Sequence, residues 1–170
     1  MGFREEMEPV EELHEGEEAI WEEAVGEASE VTLPVLLDQV EKVFAPDGPL
    51  ARRFPQYQVR QQQIELCQAI LTSFLRGEHL MAEAGTGVGK SFAYLVAAAL
   101  WSLQTGDVVV ISTHTVPLQS QLMEKDLPLV AQVMRDLGLG ELRYELAKGR
   151  GQYLCQRRLS AYLRKAQGGE

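Results

Sequence analysis

Residues 84–91 read Ala-Gly-Thr-Gly-Val-Gly-Lys-Ser, three alternating glycines followed by a lysine and a hydroxyl. Glycine tolerates positive φ, so such a run can turn successive backbone N–H groups inward as a nest for an anion. A helix beginning near Gly89 would aim the positive end of its dipole at the same point. Lys90 can then reach the β- and γ-phosphates of a nucleoside triphosphate, and the Ser91 hydroxyl can ligate Mg²⁺. The candidate phosphate-binding set is therefore Ala84, Gly85, Thr86, Gly87, Val88, Gly89, Lys90 and Ser91, with Lys90 as the catalytic member. The pattern G-x-x-x-x-G-K-S/T is met except at its first position, where Ala84 serves if no positive φ is needed. The competing reading is a flexible linker that ends by chance in Gly-Lys-Ser, and linkers are rarely flanked by two apolar periodic segments.

The flanks must position this loop. Leu80, Met81 and Ala82 form a short apolar run of strand type. Downstream, Phe92, Tyr94, Leu95, Ala98, Ala99 and Leu103 recur at helical spacing without a breaker. Further elements follow from the same reasoning. A helix is expected over 32–44, halted by the Pro- and Gly-containing turn at 45–49, and a longer one over 59–76, capped by Gly77. The β-branched run at 108–111 predicts a strand covered on both faces of a parallel sheet. A helix starts near Val116 and Pro117, another spans 128–137 before Gly138, a third strand covers 142–147, and a last helix starts near Tyr153. Alternating β and α elements around a glycine loop predict an α/β fold: a P-loop (RecA-like) parallel sheet flanked by helices, incomplete as a domain.

Composition sets the outer bounds. The chain has 170 residues, 45% of them apolar, enough for one real core. Its net charge of −9 is unevenly spread. Residues 1–30 hold twelve Glu against a single base, Arg4, while seven basic residues from Arg143 onward face only Glu145 and Glu170. The reading is an acidic leader of disordered composition at 1–31, a helix and linker at 32–56, and the folded body at 57–170. Two cysteines, Cys67 and Cys155, exclude a disulfide framework and fit a reducing compartment. No long apolar run and no signal-peptide pattern occur, so the expectation is a cytoplasmic protein away from membranes.

Three further segments bear on function. Arg60, Gln61, Gln62 and Gln63 lie about twenty residues before the glycine loop, and a glutamine amide can pair with N6 and N7 of adenine. On spacing alone, a solvated polar helix face is the commoner explanation. Residues 111–122, Ile-Ser-Thr-His-Thr-Val-Pro-Leu-Gln-Ser-Gln-Leu, gather hydroxyls and amides where open α/β sheets bind ligands. Such groups suit phosphodiester oxygens, with helix capping by Ser112 or Thr113 as the equal alternative. The third, at 148–155, reads Lys-Gly-Arg-Gly-Gln-Tyr-Leu-Cys, and a single cysteine holds no metal cluster unaided. No apolar strand ending in Asp-Glu, the usual Mg²⁺ and water partner of such a loop, is found.

Taken together, in this order, these segments resemble the DinG/XPD-like superfamily 2 DNA helicases, over roughly residues 45–165. The resemblance implies that Gln63 is the adenine-reading glutamine and that Lys90 and Ser91 hold the phosphates and Mg²⁺ of ATP. It implies that Thr113, His114, Thr115 and Gln119 lie on the single-stranded DNA track, and that Cys155 is the first of four ligands to a 4Fe–4S cluster. Members use ATP to move 5′ to 3′ and unwind DNA, with ties to repair, so the resemblance implies single-stranded or forked DNA as the partner of a monomeric chain. Gln61 stands where the family commonly has proline and Val88 where it commonly has threonine. The Asp-Glu-Ala-His box, the other cysteines and the second motor domain are missing, so 57–170 reads as the N-terminal part of motor domain 1. The expectation is a helicase piece that binds nucleotide without efficient hydrolysis. The rivals are a stand-alone P-loop nucleotide-binding or regulatory module, told apart by the sequence downstream, and a phosphotransferase, which needs a basic lid not evident after Leu103.

Overall fold

A computed structural model describes residues 31–85 and 87–167. Residues 1–30 of the acidic leader, Thr86 and residues 168–170 fall outside the described residues. Six α-helices occur among the described residues: α1 Leu33–Phe44, α2 Gln61–Arg76, α3 Lys90–Thr105, α4 Val116–Gln121, α5 Leu127–Asp136 and α6 Gln156–Gln167.

The helix that follows the glycine loop is the centre of the molecule. In α3, Ala93, Leu95, Val96, Ala97, Ala98, Ala99 and Leu100 are all buried, which is the pattern of a helix surrounded rather than laid on a surface. The run Ala97, Ala98, Ala99 lets neighbours approach closely, because alanine adds only a methyl group to the helix backbone. Its most extensive partner is α2, and α1 and α5 pack against it as well. Leu36, Val40, Val43 and Phe44 of α1, Cys67 and Leu71 of α2, and Val130, Val133 and Met134 of α5 complete one core. Burial in that core pushes the Cys67 thiol well above its ordinary pKa, because the thiolate would lose its hydration.

Local chemistry explains where the helices stop. Gly77 (φ 63°) ends α2, its N–H donating to the Phe74 carbonyl at 3.1 Å while the Glu78 N–H donates to the Ser73 carbonyl at 2.9 Å. Gly138 (φ 71°) ends α5 in the same way, with its N–H on the Arg135 carbonyl at 2.9 Å. Between α4 and α5 the chain does not break: Leu122–Asp126 forms a π-helical stretch that joins them. Pro128, in the first turn of α5, has no N–H to give the preceding turn, and a wider turn absorbs that defect.

The expected parallel sheet is absent. Among the described residues no strand is formed, and the α/β architecture predicted from the sequence is overturned by a helical one. The three apolar runs at 80–82, 108–111 and 142–147 join no backbone ladder. Val108 and Val110 are 85% and 86% exposed and Met81 is 99% exposed, whereas a buried central strand covers both faces. The reason is physical. β-Branched residues report a preference for extended backbone, but a strand exists only when a neighbour accepts its N–H and C=O groups.

Candidate functional site

The glycine loop is held between the start of α2 and the start of α3. Gly89 (φ 87°) is the cap residue before α3 and Gly87 has φ 80°, so both occupy the left-handed region that the sequence assigns to this loop. No side chain caps α3, which leaves the first-turn amides around Lys90 and Ser91 without an intrahelical acceptor. Lys90 Nζ donates to the Ala84 carbonyl at 2.7 Å, so the ammonium group lies across its own loop. Ala84, Val88, Gly89 and Ser91 are half-buried, while Gly85, Gly87 and Lys90 are exposed. Free amides, a helix start and a mobile-stemmed ammonium group fit a phosphate chain in chemistry and in charge.

Two side chains at the start of α2 brace the loop from behind. Gln63, only 5% exposed, donates from Nε2 to the Gly89 carbonyl at 2.7 Å. Arg60, the residue before α2, donates from Nη1 to the Gly87 carbonyl at 2.6 Å. The contact at Gly89 is close enough that a Cβ there would collide with the Gln63 amide. Only glycine fits. Arg60 went unassigned in the sequence reading, since its partner is a backbone carbonyl 27 residues away and leaves no mark in the residue pattern.

Beside this junction lies a cavity of about 250 Å³, lined by Phe54, Tyr57, Arg60, Gln63, Gly89 and Phe92 among others. Phe54 and Phe92 meet edge to face with centroids 5.8 Å apart. The Tyr57 hydroxyl donates to the Phe44 carbonyl at 3.0 Å, and burial raises the phenol pKa against the opposing pull of the Arg60 charge. An aromatic-walled cleft with the amides of Gln56, Gln58 and Gln63 in its lining is a shape and chemistry suited to a planar heterocycle.

The second group of sequence-assigned residues sits elsewhere. Ser112, Thr113 and His114 line a larger cavity of about 490 Å³ with Ile70, Phe74, Tyr94, Ala98 and Leu118, and it shares no lining residue with the first. The Thr113 hydroxyl is buried without a partner. Thr115 is the cap residue of α4 but makes no side-chain cap bond, so the alternative of helix capping by Ser112 or Thr113 is not what forms. The Thr115 carbonyl accepts the Gln119 N–H at 3.1 Å. His114 and Thr115 are exposed and Gln119 is half-buried. Cys155 is exposed just ahead of α6, and among the described residues no three His, Cys, Asp or Glu side chains gather as a metal site. No helix among the described residues is long and apolar enough to cross a membrane.

Comparison with known proteins adds the family. No family model matches the chain, and no solved structure matches it. The "ATP-dependent DNA helicase YoaA" of Escherichia coli is 40% identical over 116 residues, 68% of this chain and 17% of that protein. The "ATP-dependent helicase DinG" of Mycobacterium tuberculosis is 43% identical over 96 residues, 56% of this chain and 14% of its own length. The "3'-5' exonuclease DinG" of Staphylococcus epidermidis is 48% identical over 75 residues, 44% of this chain and 8% of that protein. The chain thus spans less than a fifth of the length of these relatives. At these identities it is a homologue of the DinG and YoaA ATP-dependent helicases.

Proposed function

We propose that this chain is the ATP-binding part of a DinG-like DNA helicase, in which 57–170 is the N-terminal part of the first motor unit and carries most of its nucleotide and DNA contacts. The observation that carries the reading is the loop itself: two left-handed glycines directly before an uncapped helix start, with Lys90 lying across them. In this reading the amides of residues 85–90 and Lys90 hold the phosphates of ATP, and the Ser91 hydroxyl ligates Mg²⁺. Adenine occupies the cleft beside Phe54, Tyr57 and Phe92, with Gln63 at its edge. Mg²⁺ supplies charge neutralisation at the β- and γ-phosphates.

The residues at Thr113, His114, Thr115 and Gln119 take single-stranded DNA, through neutral donors that suit phosphodiester oxygens without reading sequence. Movement is 5′ to 3′ on single-stranded or forked DNA, by a monomer. Cys155, exposed and next to basic residues, supplies one ligand to a 4Fe–4S cluster whose other ligands this chain does not contain. The chain holds no Asp-Glu-Ala-His sequence, so it binds ATP without efficient turnover.

Calorimetric titration of the chain with Mg-ATP tests the core of this reading. Binding is expected, and Lys90→Ala is expected to weaken it at least roughly tenfold, the size of one lost charge-assisted contact. A chain that binds no nucleotide, or a Lys90→Ala variant that binds as well as the parent, contradicts it. Substantial DNA-stimulated hydrolysis by these 170 residues would overturn the claim of inefficient turnover.

A further inference from the structure

The two braces on the glycine loop are not equivalent. The Gly89 carbonyl accepts from Gln63, and it also accepts the Ala93 N–H at 3.3 Å as part of the α3 ladder. Its orientation is fixed by the helix whether Gln63 is present or not. The Gly87 carbonyl belongs to no ladder, and among the described residues the bond that holds it comes from Arg60 at 2.6 Å. Gly87 has φ 80° and no side chain, so its peptide plane rotates more freely than that of a residue with a Cβ.

Peptide geometry turns that single bond into a directional effect. No peptide bond among the described residues is cis, and in a trans peptide the C=O and the next N–H point in opposite directions. With the Gly87 carbonyl drawn to Arg60, the Val88 N–H must face away from Arg60, on the opposite side of the loop. A nest for an anion needs its amides turned the same way before the anion arrives, because reorienting them afterwards would consume part of the binding energy.

We propose that Arg60 is a positioning residue for phosphate recognition: its guanidinium fixes the Gly87–Val88 peptide so that the Val88 amide is preset as a donor to the nucleotide phosphates. The proposal rests on the reading of this loop as a triphosphate site. It assigns Arg60 no contact with the nucleotide, although Arg60 also borders the adjoining aromatic cleft. Arg60 is exposed at the start of α2 and outside the core, so its replacement leaves folding intact.

The test is nucleotide titration of the full chain followed by calorimetry and by amide resonances, for the parent, Arg60→Ala, Arg60→Lys and Lys90→Ala. In the parent, Mg-ATP is expected to move the Val88 amide proton downfield, as a hydrogen bond to an anion does. In Arg60→Ala that shift is expected to vanish, with ATP affinity down roughly tenfold, as for a lost bond to a charged donor. The Leu95 amide within α3 should be unmoved, which marks the fold as intact. Arg60→Lys retains a charged donor and is expected to recover part of the Val88 shift. A full downfield shift of Val88 in Arg60→Ala, or affinity within twofold of the parent, overturns the positioning role while leaving the triphosphate reading standing. If the parent fails to bind, or Lys90→Ala binds as tightly as the parent, the triphosphate reading falls and the Arg60 proposal falls with it.

Discussion

At Gly89 three demands meet in one residue: φ of 87°, a carbonyl shared by Gln63 and Ala93, and no room for a Cβ beside the Gln63 amide. Gly77 has a similar φ of 63° but open space around it. The pair separates two costs that are usually confounded. Gly77→Ala is expected to cost about 1–2 kcal/mol, the price of a left-handed L-residue alone. Gly89→Ala also displaces the end of the Gln63 side chain from its bond to the Gly89 carbonyl, and is expected to cost about 1 kcal/mol more, lowering Tm by roughly 2–4 °C beyond the Gly77 variant. Equal melting temperatures for the two variants would contradict the crowding at Gly89. Much of the candidate site was legible at this scale, because a left-handed glycine before a helix is a local property. Arg60 was not. A charged residue in a polar run carries no sign of which distant carbonyl it will meet.

Between elements, the packing of α3 sets the tolerance of the structure. Ala97 is fully buried in the helix that packs against α1, α2 and α5, so Ala97→Leu is expected to cost about 1–3 kcal/mol by overpacking, read as a lower Tm in thermal melts. A second link joins the 3₁₀ turn Ala51–Arg53 to α5, where Arg53 Nη1 lies 2.8 Å from Asp136 Oδ2. The hydrogen bond from Arg53 is the chief cause holding the Asp136 carboxyl below its ordinary pKa, helped by the charges of Arg53, Arg52 and Arg135. A carboxyl depressed in the folded state contributes stability above its unfolded pKa, and that contribution is lost as pH falls through the folded value. Arg53→Ala is therefore expected to raise the Asp136 pKa toward the ordinary carboxylate range, observable by carboxyl NMR titration, and to flatten the acid limb of stability. An unchanged titration would remove Arg53 as the cause. The helix ends followed from local signals, Gly77 and Gly138 above all. The fusion of α4 with α5 did not, because it depends on how Pro128 is absorbed by the turn before it.

For the molecule as a whole, the departure from expectation is the missing sheet. The β-branched run at 108–111 predicts a buried strand of a parallel sheet and no strand forms there, because pairing is a property of two segments and cannot be read from one. The helical arrangement makes a contrary prediction to the sheet. Val108→Lys with Val110→Lys is expected to change stability by less than about 0.5 kcal/mol, because both side chains already face solvent. In a sheet covered on both faces, the same pair would bury two charges and abolish folding. A denaturant midpoint close to the parent supports the helical arrangement, and collapse of the fold refutes it.

The placement of the sulfur atoms supplies a built-in gauge of integrity. Cys155 is open to reagent, while Cys67 lies at the heart of the helical cluster with its thiolate form suppressed. A chromogenic disulfide such as Ellman's reagent should therefore titrate one equivalent at once and the other only as fast as the chain opens. The lag between the two colour steps reports the opening rate directly, with no label, no ligand and no knowledge of catalysis.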